Sequence, residues 1–368
     1  MKNKYVFVVV MLLSIWIASF GFTSIYVSQN NEEKQKDEFV VVTSFYPMYI
    51  AAMNIVDGVE EVTLKNLSEP QTGCLHDFQL TPEDMKLLST ADVFIINGGG
   101  IEQFMEDIAK AYPELLIIEA CEDMELLEGG HEHEHEVEEM HIQEDAHEHE
   151  SEEVHLHEDE HEHETEEVHT HGDEHEQETE EIYRDDNYVI ESTHIYEEDV
   201  NAHAWMSVDL YREQIKNIAN GLAKADSSHA DEYQKNAEIY DRKLKELEQL
   251  QQEVIKLTAQ QEVILFHCAY DYVAQELELP IAFCMDLDEE RQVSAKEVAD
   301  VVDIIQEHHV SYIFAEQLYA ESMCNMIQAE TDVNVVYLDP LTRGEYEKDS
   351  YIEGMRKNLL LMKQSFSQ

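Results

Sequence analysis

Short apolar runs punctuated by polar turns alternate along this chain with stretches whose apolar positions recur every third or fourth residue. In the first half, "FVVVTS" (39–44), "EVTLKNL" (61–67), "VFIING" (93–98) and "LLIIEA" (115–120) read as strands. The text between them reads as helix. One helix starts at Pro47. A second, in "LTPEDMKLLSTA", has Thr81 as its N-cap, Pro82 at its first position and Asp84 as the capping-box acid, and a third is "IEQFMEDIAKA". After residue 260 the alternation resumes, with "VILFHC" (263–268), "LPIAFCM" (279–285), "VSYIFAE" (310–316) and "VNVVYLD" (333–339) as strands. Strand–helix alternation predicts parallel sheets covered by helices, here in two αβ lobes.

Between the lobes, Tyr233, Ala237, Tyr240, Leu244, Leu247, Leu250, Val254 and Leu257 keep helical spacing without Gly or Pro. One continuous helix is expected in the linking segment 227–257, its periodic stretch 229–257 roughly 43 Å long for 29 residues at about 1.5 Å each, stiff enough to join the lobes. The fold class is therefore α/β: two lobes, each a mainly parallel four-stranded sheet flanked by helices, joined by one long rigid helix. The expected boundaries are 38–226 for the first lobe, with an insertion at 131–181, and 258–368 for the second.

That insertion breaks the pattern. From His133, His147 and His161 nearly the same text repeats with a period of 14, and residues 131–181 hold 13 of the 20 histidines, 24 acids and no Lys or Arg. So polar a segment cannot bury enough apolar surface to offset its ordering entropy and is predicted to be a disordered loop. Imidazole suits zinc, copper and nickel, and the carboxylates concentrate cations. A loop that must be ordered each time it closes on a metal should hold several ions loosely.

Charge agrees with this. Acidic residues outnumber basic ones 82 to 23, a net charge of −59, which argues against nucleic acid and for cations. The N-terminus places Lys2 and Lys4 before an uncharged apolar run from Tyr5 to about Val27, an export signal at 1–30 that fits either a cleaved signal peptide or an uncleaved anchor. An extracytoplasmic protein is expected. Its five cysteines, Cys74, Cys121, Cys268, Cys284 and Cys324, permit disulfides without revealing their pairing, and no C-x-x-C points to a cysteine zinc cluster.

Outside the tract lie His76, His194, His203, His229, His267, His308 and His309. His76 in "GCLHDFQLTPEDM", His203 in "NAHAWMSVDLYREQI" and His267 in "ILFHCAYDYV" each fall where a strand or loop hands over to a helix. Ligands of open α/β sheets bind in the crevice outside the carboxyl ends of strands. Asp339 in "VVYLDPLTRGE" ends a strand in the same way. Three imidazoles plus a carboxylate or water would satisfy tetrahedral zinc. Glu316, Asp77, Trp205 and Tyr46 lie nearby in the text, and all four have ordinary structural readings. "NGGGIE" (97–102) resembles a phosphate-cradling turn but lacks the G-x-G-x-x-G spacing, so a tight strand-to-helix turn is the better reading.

Taken together, "VVTSFYPMYIAA", "GCLHDFQLTPEDMKLLSTADVFIINGGGIEQFMED", "NAHAWMS", "FHCAYDYVAQELEL", "FAEQ", "ETDVNVVYLDPL" and "YIEGMRKNL" resemble, in order, the segments of metal-specific solute-binding proteins of ABC importers, the zinc-uptake branch in particular. The resemblance implies that His76, His203 and His267 ligate one metal between the lobes, with Asp339 as the usual fourth candidate. It also implies zinc over manganese, because manganese-binding relatives carry a carboxylate at the place of His267. Two positions depart from the family: Asn201-Ala202 stands for its Asp-Pro, and Leu75 for an acid found in some zinc relatives.

The expectation is thus a binding protein and not an enzyme. It would be a monomer that takes Zn(II) at one tight site, collects weaker ions on the His-rich loop and delivers the cargo to an ABC permease. The alternatives are a surface zinc store in which the tract is the main site, and a zinc hydrolase built on the same three histidines.

Overall fold

The computed structural model describes residues 38–69, 78–129, 200–258, 261–285, 287 and 293–367. The export segment, His76, Asp77, Cys74, His194 and the His-rich tract lie outside the described residues.

The first sheet has β1 (Phe39–Thr43) at its centre beside β2 (Val62–Asn66) and β3 (Val93–Ile96), with β4 (Leu116–Glu119) outermost, in the order β2-β1-β3-β4. The second, built from β5 (Val263–Leu265), β6 (Ile281–Cys284), β7 (Tyr312–Ala315) and β8 (Asn334–Tyr337), has the order β6-β5-β7-β8. Every pairing in both sheets is parallel. The central strands β3 "VFII" and β7 "YIFA" are buried at every position, as apolar runs sandwiched between helices must be. All eight strands fall where the apolar runs predict them, and the mixed α/β reading holds.

Ten helices are described: α1 (Tyr46–Ile55), α2 (Pro82–Leu88), α3 (Met105–Ala111), α4 (Val208–Ala225), α5 (Ala230–Leu244), α6 (Glu246–Thr258), α7 (Asp271–Glu276), α8 (Ala295–His308), α9 (Gln317–Glu330) and α10 (Ser350–Phe366). α2 starts as its sequence dictates. Thr81 Oγ1 accepts the Asp84 N–H at 3.2 Å, and Asp84 Oδ2 accepts the Thr81 N–H at 2.8 Å, a reciprocal box that stabilises the helix start by about 1 kcal/mol. Ser294 and Glu297 form the same device at α8.

The linking stretch differs from expectation. Instead of one continuous helix over 227–257 there are two, α5 and α6, separated at Lys245, whose φ of −57° and ψ of −24° stay close to helical. Its N–H still reaches Asp241 O at 3.0 Å, so the chain continues in the same sense with a local irregularity that apolar spacing could not reveal. α5 packs against α1 and α4 of the first lobe, and α6 against α10 of the second.

One apolar core runs through both lobes, including Val41, Phe94, Trp205, Tyr211, Leu244, Leu265, Leu338 and Tyr351. A second core, with Ile264, Ile313, Val301 and Ile327, covers the other face of the second sheet. Ile264 and Leu265 enter different cores because successive strand residues point to opposite faces. Tyr211 and Tyr351 stack across the junction with centroids 3.7 Å apart. No helix of the described residues is long and apolar enough to cross a membrane.

Candidate metal centre

In both sheets the neighbours of the central strand run to opposite sides, which opens a crevice at the strands' carboxyl ends. His267 enters that crevice in the second lobe, two residues beyond β5. Its extended backbone (φ −158°, ψ 139°) leads into a tight turn at Cys268–Tyr270, and its Nδ1 accepts the Ala269 N–H at 3.0 Å. With Nδ1 so engaged, the neutral ring carries its proton on Nε2. Ligation through Nε2 therefore requires that proton to leave and the Ala269 contact to be given up.

His203 comes from the first lobe, just ahead of a turn at Ala204–Met206 and of α4, which Ser207 caps through the Leu210 N–H at 3.1 Å. Its placement depends on the glycine turn after β3. Asn97 Nδ2 donates to Ala202 O at 2.9 Å, and Asn97 Oδ1 accepts from Gln214 Nε2 at 2.8 Å. Gly99 has a φ of +65°, and a Cβ there would stand 3.3 Å from Ala202 Cα, so glycine permits the approach.

That turn does cradle an acidic group, but one of the protein's own. Glu102 accepts the Asn97 and Gly98 N–H groups at 2.8 and 3.1 Å and the Ser44 hydroxyl at 2.8 Å. Burial pushes its carboxyl up to about 7. Because Glu102 folds back onto the turn, the following helix begins at Met105, later than the expected start at Ile101.

Asn201 fixes the imidazole of His203. Its Nδ2 donates to Cys268 O at 2.8 Å and to Asp271 Oδ2 at 2.9 Å, so its Oδ1 must face His203, where it meets the backbone N–H at 3.0 Å and Nδ1 at 2.8 Å. All four hydrogen-bonding positions of the amide are used. His203 Nδ1 therefore carries the proton, and Nε2 presents the lone pair, the arrangement in which a supporting residue orients a ligating imidazole.

The two rings meet across the lobes, with centroids 5.0 Å apart and planes at 86°. Cys268 Sγ lies 3.7 Å from His203 Nδ1. His203, His267 and Cys268 each offer a donor atom within 4.8 Å of the others, and they are the one such group among the described residues. Two imidazoles beside a sulfur make a borderline-to-soft donor set, suited to zinc rather than to ions that prefer oxygen.

Sequence reasoning paired His203 with His267 and passed over Cys268, which it treated only as a possible disulfide partner. The adjacent "HC" at a strand end was the signal available. Asp339 is not in the group. Its N–H and C=O bond the Asn358 side chain at 2.9 and 2.7 Å, and its Oδ1 accepts the Leu341 N–H at 2.8 Å. His308 is exposed at the end of α8 and His309 is its C-cap, with a φ of 55°. Glu316 faces Arg343 at 3.4 Å.

Trp205 closes one side of the centre. It is fully buried, its ring lies 5.0 Å from that of His203, and its Nε1 donates to Pro340 O of the second lobe at 2.8 Å. Tyr351 returns the connection by donating to Trp205 O at 2.7 Å. Tyr46, from the first lobe, donates to Glu345 O at 3.0 Å.

Residues 41–365 match the family described as zinc-uptake complex component A, periplasmic (ZnuA). The chain is 26% identical over 356 residues to the high-affinity zinc uptake system protein ZnuA of Bacillus subtilis, covering 95% of this chain and 93% of that protein. It is 25% identical over 370 residues to the zinc-binding protein AdcA of Streptococcus pyogenes, covering 98% of this chain and 61% of AdcA, so it spans about three fifths of that relative. Among solved structures, Zn(II)-bound AdcA of Streptococcus pneumoniae superposes with a TM-score of 0.64 at 19% identity, covering 90% of this chain and 58% of that one. The solute-binding protein FpvC of Pseudomonas aeruginosa, solved with Ni2+, gives 0.63 at 20% identity, covering 90% and 97%. At such identities the superpositions speak for the fold alone, but the sequence match extends over nearly the whole chain, and this protein belongs to the ZnuA family of solute-binding proteins of metal importers.

Proposed function

We propose that this protein captures zinc outside the cytoplasm in the crevice between its lobes and delivers it to an ABC permease, without performing chemistry on its cargo. The observation that carries the reading is the meeting of His203 and His267, brought from separate lobes to a ring separation of 5.0 Å, with Asn201 orienting the first. His76 is the third imidazole in this proposal, and Asp339 or water completes the shell. Zinc is favoured as cargo because imidazole nitrogen, not carboxylate oxygen, dominates the donors.

The protein's own groups do three things in this reading. Asn201 and the Asn97 turn hold His203 at a fixed angle, which spares ordering entropy when the ion arrives. Trp205 keeps water from one side. The shared core and the interlobe bonds of Trp205, Tyr351 and Tyr46 favour small adjustments over wide closure. The His-rich tract acts as an accessory collector that raises zinc near the crevice.

The deciding experiment replaces His76, His203 and His267 together by Ala in the full chain and follows zinc titration by calorimetry. Loss of the tightest binding event, with the weaker ones kept, is the expected result. An unchanged tightest affinity would instead make the protein a surface store whose main site is the tract.

A further inference from the structure

We propose that Cys268, in the fourth position otherwise left to Asp339 or water, supplies a sulfur donor to this centre, so that the chain grips its ion with a mixed nitrogen and sulfur set and favours zinc and cadmium over manganese. The inference rests on His203 and His267 being ligands, and it deepens that reading by naming the class of ion selected.

Position is the first support. Cys268 follows His267 directly, and its donor atom lies within 4.8 Å of donors from both histidines. Around tetrahedral zinc, with Zn–N of about 2.1 Å and Zn–S of about 2.3 Å, neighbouring donors stand roughly 3.5 Å apart, so the three groups draw together on loading. Cys268 O is held by Asn201 Nδ2 at 2.8 Å and by the Asp271 N–H, which anchors the residue facing the crevice.

Polarity is the second. Asn201 keeps the proton on His203 Nδ1, so the atom 3.7 Å from Cys268 Sγ is an N–H and not a lone pair. Sulfur can only accept there. On loading, the sulfur leaves that contact for the metal: the metal–sulfur bond forms and the thiol proton goes to solvent.

Contrast is the third. Cys121 and Cys324 are buried in the cores, where burial pushes both thiols up, that of Cys324 to about 11. They behave as packing residues. Cys268 is half-exposed and belongs to the donor group. Thiolate is the softest protein ligand, and adding it to two imidazoles raises affinity for cadmium most, for zinc next and for manganese least.

The test uses the full chain loaded with one equivalent of Co(II). Residues 131–181 contain no cysteine, so a thiolate-to-cobalt charge-transfer band in the near ultraviolet cannot arise from the tract. The expected result is such a band in the native chain and its loss in Cys268→Ser. The same variant should bind cadmium at least ~100-fold more weakly, beyond the ~10–100-fold effect of a merely supporting residue, while manganese binding barely changes. A native chain that holds cobalt and zinc tightly without the band, or a band that survives Cys268→Ser, overturns the sulfur donor and leaves the zinc-capture reading standing. If tight zinc binding instead survives replacement of both His203 and His267, it is the zinc-capture reading that fails. Should Cys268→Ser fold poorly, Cys268→Ala is read in the same way.

Discussion

Asn201 joins the lobes through a single amide: its Nδ2 lies 2.9 Å from Asp271 Oδ2 in the second lobe, while its Oδ1 lies 2.8 Å from His203 Nδ1 in the first. Both Asn201 and Asp271 are buried. An Asp at this position would set two buried carboxylates against each other and leave Cys268 O without its donor.

Asn201→Asp should therefore lower stability by about 2–4 kcal/mol, read as a fall in the denaturant midpoint. Exchanging the pair, Asn201→Asp with Asp271→Asn, restores one amide–carboxylate bond and should recover at least half of the loss. A double exchange no better than the sum of the single changes would show that the two residues do not couple.

A second consequence concerns pH. Burial pushes Glu102 up to about 7, and it does the same to Glu276, which sits under the start of α4 and accepts Gln251 Nε2 at 2.9 Å. Both folded-state values lie above the unfolded one near 4.5. Between roughly pH 4.5 and 7 the folded chain keeps protons that the unfolded chain releases, so this stability is present at the acid end and is lost as pH rises through about 7. Each group contributes about 3 kcal/mol across that window. Metal-free protein should melt higher at pH 5 than at pH 7.5, and Glu102→Gln should shrink that difference. An equal difference in the variant would mean that Glu102 is not the group responsible.

A third concerns Trp205. Trp205→Phe keeps most of the packing but removes the bond from Nε1 to Pro340 O and leaves a carbonyl without its partner. The expected cost is about 1–3 kcal/mol, together with faster zinc release in stopped-flow chelation. Unchanged release with the stability loss intact would separate lobe docking from metal retention.

The strands were legible because each is an apolar run bounded by turn residues, and α2 because its cap is written in the sequence as Thr81 with Asp84. The break at Lys245 was not, since helical spacing of the apolar positions continues through it. In the site, His203 and His267 were legible as histidines at element boundaries. Cys268 was not, because the "HC" pair at a strand end does not say which side of the turn the thiol faces. Nor was Asn201 legible as the residue that sets the His203 tautomer: its role depends on Asp271, seventy residues away in the chain and 2.9 Å away in space. The glycines of "NGGG" looked like a phosphate cradle because the geometry is the same, with backbone N–H groups converging on acidic oxygens that here belong to Glu102.

The central claim, that an ordered interlobe centre and not the tract holds the tightest ion, is tested most directly by calorimetric titration of zinc into the chain lacking residues 131–181. One tight binding event with a stoichiometry near one, abolished by His203→Ala with His267→Ala, is the predicted result. Disappearance of all tight binding on deleting the tract, from a chain that still melts cooperatively, would contradict it.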